Sequence, residues 1–245
     1  MPAAFTQRFL IRFDECAADG TVRAAALLRY VIETAFAHSA AEGFPLAWYD
    51  AHGLYWLVRH ARLAVARPVA YGACLDVTTE VVGFRRIWAR RRNEIRDATG
   101  ERLGDVVMDW IFTDREGNPA RVPREMEGAF PGLIARLDVE RLDLRDPPAT
   151  LEPEAYRVPV HQVDPRGHMN SAAYLDLFED ALAASRTDPQ QRPARYEVEF
   201  LRAALPGEIL LRFVWAEADG WAMVAATPAG LPVVRGRRRG AVPET

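Results

Sequence analysis

The chain has 245 residues, enough for one large or two modest domains with an ordinary core and no need of staples. With 49% hydrophobic and 27% charged residues, a net charge of −3 and no apolar run long enough to span a bilayer, it reads as a globular chain. The composition leaves no place for a membrane span and makes nucleic acid a weak reading, since no aromatic-basic binding motif accompanies the negative charge.

Cys16 and Cys74 lie far apart without a C-x-x-C or a histidine at metal-ligand spacing, which argues against a disulfide framework and a zinc site. Every basic residue is arginine, read here as compositional bias. The opening MPAAFTQRFLIRFDE lacks a basic segment followed by an apolar stretch, so no secretory signal is expected and the expected location is cytoplasmic.

In chain order, residues 9–13 (FLIRF) read as a short strand, followed by a small-residue loop through Asp19 and Gly20. Val22, Leu27, Leu28, Val31, Ile32, Ala35 and Phe36 keep helical spacing, predicting a long buried helix over residues 23–41 that Gly43 and Pro45 end. Residues 53–59 and 62–66 then read as a strand closed by Arg67-Pro68. Strands are also expected over 73–82, 86–96 and 101–112, the last two joined by a hairpin at Asp97-Ala98-Thr99-Gly100. Residues 131–155 carry charges and a proline pair with no sustained period, the composition of a linker between domains at 1–130 and 156–245.

After the linker the programme restarts: a strand over 156–160, a polar loop, a helix to about Ser185, and strands over 196–201, 208–216 and 221–227. The arginine-rich stretch 235–239 reads as a frayed tail. Setting Gly20 beside Gly167 brings Val22 to Met169 and Leu28 to Leu175. Leu63-Ala64-Val65 matches Val198-Glu199-Phe200, and Gly72 matches Gly207. The chain is an internal repeat.

The polar loop concentrates chemistry. Asp164, Pro165, Arg166, Gly167, His168 and Asn170 crowd together ahead of the apolar positions Tyr174, Leu175, Phe178 and Leu182. A carboxylate, an imidazole and an amide at the start of a buried helix, where free N–H groups and the macrodipole favour negative charge, could run hydrolysis. The first repeat has Ala17, Asp19 and Thr21 at the matching positions and no such cluster.

Asp164-x-x-Gly167-His168-x-Asn170-x-x-x-Tyr174 resembles the signature of hotdog-fold thioesterases, including the 4-hydroxybenzoyl-CoA thioesterase branch and the acyl-ACP thioesterases. In the first repeat Gly53-x-x-Trp56-Leu57-Val58, Arg67-Pro68, Gly72, Arg86-x-Trp88 and Trp110 are similar to the N-terminal half of acyl-ACP thioesterases. The resemblance implies an α+β tandem (double) hotdog, each half a long helix wrapped by a curved antiparallel sheet. It implies hydrolysis of acyl-ACP or acyl-CoA thioesters with neither metal nor cofactor, and a possible homodimer.

Residue by residue, the resemblance implies that Asp164 is the base or nucleophile. The amides of Gly167, His168 and Met169 at the helix start would polarise the thioester carbonyl, with His168 and Asn170 orienting water or substrate. Arg166, Tyr174 and Trp56 are expected to touch substrate. Two departures stand out: Arg166 occupies a position where those enzymes carry Asn, and Ala203-Ala204 stand where they carry Glu and often Cys. The nearest carboxylate is Glu199, a candidate substitute or a solvent-facing strand residue. Arg85-Arg86, Arg90-Arg91-Arg92 and the 235–239 stretch invite docking of an acidic carrier or coenzyme A phosphates, or form a solvated face. A non-hydrolytic acyl-binding protein and a hotdog dehydratase stay open as alternatives.

Overall fold

The computed structural model describes residues 4–130, 137, 141–185 and 192–240. The strands are β1 (Phe5–Leu10), β2 (Leu54–Val65), β3 (Cys74–Arg85), β4 (Trp88–Asp97), β5 (Arg102–Asp114), β6 (Glu154–Arg157), β7 (Ala194–Phe200), β8 (Ile209–Glu217), β9 (Gly220–Ala226) and β10 (Pro232–Gly240). The helices are α1 (Ala24–Ala41), α2 (Leu46–His52), α3 (Arg124–Ala129) and α4 (Ala173–Ala184). All ten strands form one antiparallel sheet in the order β1-β3-β4-β5-β2-β7-β10-β9-β8-β6. The order is a palindrome of two repeats: each contributes a first strand at an outer edge and its second strand at the centre.

The register makes the symmetry explicit. Arg62 and Glu197 occupy matching places in the two repeats, and they are ladder partners of each other, flanked by Leu63↔Tyr196 and Ala61↔Val198. The pseudo-twofold therefore passes through that pair. Each repeat carries its long helix on the sheet: α1 packs on β1 and β3, α4 packs on β8, and the helices touch each other. Asp176 of α4 takes ion pairs from Arg29 (2.5 Å) and Arg23 (3.3 Å), tying the repeats together. This is the expected double hotdog.

Helical spacing puts Leu27, Leu28 and Val31 of α1 fully inside the core, each worth about 1.5–3 kcal/mol of burial. Phe9 of β1 stacks on Tyr30 of α1 at 4.5 Å, and the Tyr30 hydroxyl donates to the buried carboxylate of Glu15. In both repeats the loop before the helix is built alike. A 3₁₀ turn (Phe13–Glu15, Val160–Gln162) leads to an antiparallel bridge (Cys16↔Val22, Val163↔Met169) around a left-handed glycine, Gly20 or Gly167, each with φ of 80°.

Four expectations need correction. The first strand starts at Phe5 and ends at Leu10, because Phe13 begins the 3₁₀ turn and stands 81% exposed. Helices α2 and α3 were missed. Pro45, read as ending the first helix, sits at the N-cap of α2, Pro123 sits at the N-cap of α3, and Gly53, read as a strand start, is the left-handed cap of α2. The stretch 235–239 is no frayed tail but the core of β10, paired with both β7 and β9. Its charges are neutralised along the strand, Arg237 by Glu217 (2.8 Å) and Arg239 by Asp219 (2.6 Å). Gly236 lets the Phe178 ring of α4 lie close, 3.7 Å from where a Cβ would stand.

Residues 131–136 and 138–140 of the expected linker lie outside the described residues. Beyond them, Leu142 and Leu144 pack with Ala222, Trp215 and Val224, and Arg237 donates to the Asp143 carbonyl at 2.6 Å.

Candidate active site

Helix α4 starts at Ala173, well past the expected Gly167. The reason is the Val163↔Met169 bridge, which closes Asp164 to His168 into a tight loop and consumes its amides. Gly167 N–H donates to the Asp164 carbonyl (2.9 Å), His168 N–H to Asp164 Oδ1 (3.3 Å) and Met169 N–H to the Ala204 carbonyl (2.8 Å). The three amides expected at the helix start are thus neither at the helix nor free. Asn170 braces the turn ahead of the helix: its Oδ1 accepts the Ala172 N–H at 2.9 Å, while its own N–H donates to the Gln162 carbonyl at 2.8 Å.

Asp164 is half-buried, and its Oδ1 accepts N–H groups from Arg166 (2.9 Å) and His168. Its Oδ2 has no partner among the described residues. Asp164, Arg166, His168 and Tyr174 all line a groove of about 1110 Å³. Arg166 lies 3.8 Å above the ring of Tyr55 in β2, and burial pushes its pKa down. Tyr174 is buried edge-on against Phe200 at 5.8 Å, with burial raising its hydroxyl pKa.

The far wall comes from the first repeat: Tyr55, Leu57, Ile111 and Thr113. It exists because the central strands differ in length. β2 pairs with β7 only from His60 to Val65, while its ladder with β5 runs from Leu54. Residues 54–59 therefore overhang, with no ladder partner on the β7 side among the described residues, and the groove follows this edge. Nothing local in the sequence marks these residues as part of a site that the motif places more than a hundred positions later.

Other expected site residues fall elsewhere. Glu199 is not solvent-facing: it is buried on β7, 3.6 Å from Arg59 Nη2, and it is not part of the groove wall, whereas Arg59 is. Of the pair Ala203-Ala204, Ala203 lines the groove and brings no carboxylate to it. Trp56 points to the opposite face of β2 from Tyr55 and Leu57. It lines a separate cavity of about 30 Å³ between α1 and the sheet, with Phe36, Phe84, Trp110 and Phe130.

Several arginines of the clusters are engaged by the fold. Arg90 grips Asp109 through Nε (2.6 Å) and Nη2 (2.9 Å), Arg92 lies 3.6 Å from Glu80, Arg85 donates to the Leu137 carbonyl, and Arg91 is buried. Among the described residues no group of three or more His, Cys, Asp or Glu is placed to hold a metal, and no helix is long and apolar enough to cross a membrane.

Three solved structures share the fold at full length. A protein assigned as an oleoyl thioesterase from Lactobacillus plantarum superposes with a TM-score of 0.85 at 17% identity, covering 99% of this chain and 98% of that one. An acyl-ACP thioesterase from Bacteroides thetaiotaomicron gives 0.80 at 15% identity over 96% and 97%. The 12:0-ACP thioesterase of Umbellularia californica gives 0.80 at 20% identity over 96% of each. No curated protein matches by sequence. At these identities the structures establish the fold alone, and membership comes from the sequence: the family model of the acyl-ACP thioesterase N-terminal domain matches residues 2–129, more than half of the chain. The chain belongs to the acyl-ACP thioesterases, enzymes that hydrolyse acyl thioesters.

Proposed function

We propose that Asp164 is the base of this hydrolase and that the second repeat, from about residue 156, carries the chemistry while the first, residues 1–130, shapes the substrate pocket. The observation that carries the reading is the split use of one carboxylate. Oδ1 is pinned by two backbone amides, and Oδ2 has no partner among the described residues in a side chain that lines the large groove. A pinned carboxylate with one free oxygen can hold a water against the thioester carbonyl and accept its proton as the C–O bond forms. The tetrahedral intermediate then expels the thiolate, which takes that proton back. The products are free acid and thiol, and Asp164 is regenerated.

With Ala203-Ala204 bringing no second carboxylate, proton transfer falls to Asp164 alone. In this reading His168 orients the water and Arg166 meets the thioester oxygen or the carrier's phosphate arm; both line the same groove, and Arg166 lies over Tyr55. The family points to acyl carrier protein as the thiol partner. The test is thiol release by Asp164→Asn from acyl-ACP and acyl-CoA panels; turnover near that of the unaltered enzyme would overturn the assignment.

A further inference from the structure

The small cavity of the first repeat has an unusual wall. Phe36, Trp56, Val81, Phe84, Trp110, Met126 and Phe130 make it apolar, but Arg91 stands among them with the hydroxyls of Ser39 and Tyr49, which bond each other at 2.7 Å. Arg91 is 8% exposed. Its Nη1 donates to His38 Nδ1 (3.0 Å) and toward Thr79 Oγ1 (3.5 Å). An arginine only donates, so His38 accepts there as a neutral ring. Among the described residues no carboxylate pairs with Arg91, and its Nε and Nη2 donate to none of them.

Other buried arginines are treated differently. Arg212 meets Glu154 and Asp180, and Arg192 meets Glu179 at 3.6 Å. A buried, unpaired cation is costly, because desolvation is not offset by a counter-charge. A pocket built only for hydrocarbon would have no use for one. The free Nε–Nη2 edge is the fork that a guanidinium offers to a carboxylate in a bidentate pair. About 30 Å³ of cavity holds roughly two waters, the space a carboxylate head would take.

The cavity and the groove share a stretch of chain. Trp56 lines the cavity, and its neighbours Tyr55, Leu57 and Val58 line the groove, along the part of β2 that has no ladder partner on the β7 side among the described residues.

We propose that Arg91 is a specificity residue, and that the preferred substrates are thioesters of acyl groups with a carboxylate at their distal end, seated on the Arg91 fork. The inference rests on the hydrolase reading above for its catalytic arm. The experiment compares kcat/KM for CoA and carrier thioesters of dicarboxylic acids from four to ten carbons with plain acyl chains of equal length. It uses the native chain, Arg91→Met and Arg91→Lys. Calorimetric titration with the free diacids and monoacids runs in parallel.

The native chain should favour the carboxyacyl substrate at the best length by about ten- to a hundredfold, the reach of a charge-assisted pair. Arg91→Met should abolish that ratio and Arg91→Lys restore part of it. Equal or better handling of plain chains by the native enzyme, or a ratio unmoved in Arg91→Met, overturns the proposal. Should Arg91→Met fail to fold, the diacid-versus-monoacid titration of the native chain decides alone. Asp164→Asn separates the two readings: it should lose turnover of every substrate and keep the diacid preference in binding.

Discussion

Replacing Asp164 by Asn and by Ala asks two different questions of one side chain. Asparagine keeps an oxygen where Oδ1 accepts the Arg166 and His168 amides at 2.9 and 3.3 Å, so the loop retains its internal bonds. It loses only the ability to take a proton. A general base contributes about 10²–10⁴ in rate, or roughly 2.7–5.4 kcal/mol of barrier, so thiol release should fall by that factor with the melting temperature nearly unchanged. Alanine removes the acceptor as well. Two half-buried N–H groups then lose a partner, and stability should drop by a further 1–2 kcal/mol or so. The assay is thiol release under single-turnover conditions, beside a urea titration of all three proteins. If Asparagine at this position keeps the rate within tenfold of native, or destabilises as much as alanine, the carboxylate is a loop strut and the base lies elsewhere.

Glu199→Gln weakens the buried pair with Arg59 and should cost about 1–3 kcal/mol in a urea titration while thiol release stays at the native order; a rate loss equal to that of Asp164→Asn would make Glu199 the base. Gly220→Ala places a Cβ 2.0 Å from the Arg238 carbonyl oxygen in the β9–β10 ladder, and should destabilise by roughly 1–3 kcal/mol; an unshifted unfolding midpoint would contradict the register. His38 is held neutral by burial and by Arg91, its pKa pushed from 6.5 down to about 4. Between those values the unfolded chain takes up a proton that the folded chain refuses, so the contribution of His38 to stability is fully present above pH 6.5 and is lost as pH drops toward 4. His38→Gln should flatten that part of the melting temperature against pH curve, and an unchanged slope would remove His38 as its source.

The repeat was legible because its signals are local. Helical spacing from Val22 to Phe36 and alternation in the strands follow from which face is buried, and the glycine of each pre-helix loop needs positive φ in both copies. What escaped also has a physical reason. The fifth strand of the second repeat reads RGRRRG, and composition alone makes it a solvated tail; its charges are tolerated because Glu217, Asp219 and the Asp143 carbonyl stand where the arginine heads emerge. Helix α2 is seven residues long, too short to show a period, and only its flanking Pro45 and Gly53 announce it.

The site was half legible for a related reason. The motif gives Asp164, Arg166 and His168 because they are neighbours in sequence; Tyr55, Leu57 and Ile111 join them only through the β2–β7 register. Yet that register follows once symmetry is admitted. If the two repeats meet about a twofold at Arg62 and Glu197, and the apolar run around Arg62 extends farther toward its N-terminus than the one around Glu197 extends toward its C-terminus, the first must overhang the second. An overhanging strand in a sheet centre leaves backbone and apolar side chains uncovered at one place, and the chain leaving Phe200 has to diverge around it. The groove beside Asp164 is therefore a consequence of unequal strand lengths in two otherwise matched halves, which is also why the mirror-related place in the first repeat, with Ala17 for Asp164, need hold no site.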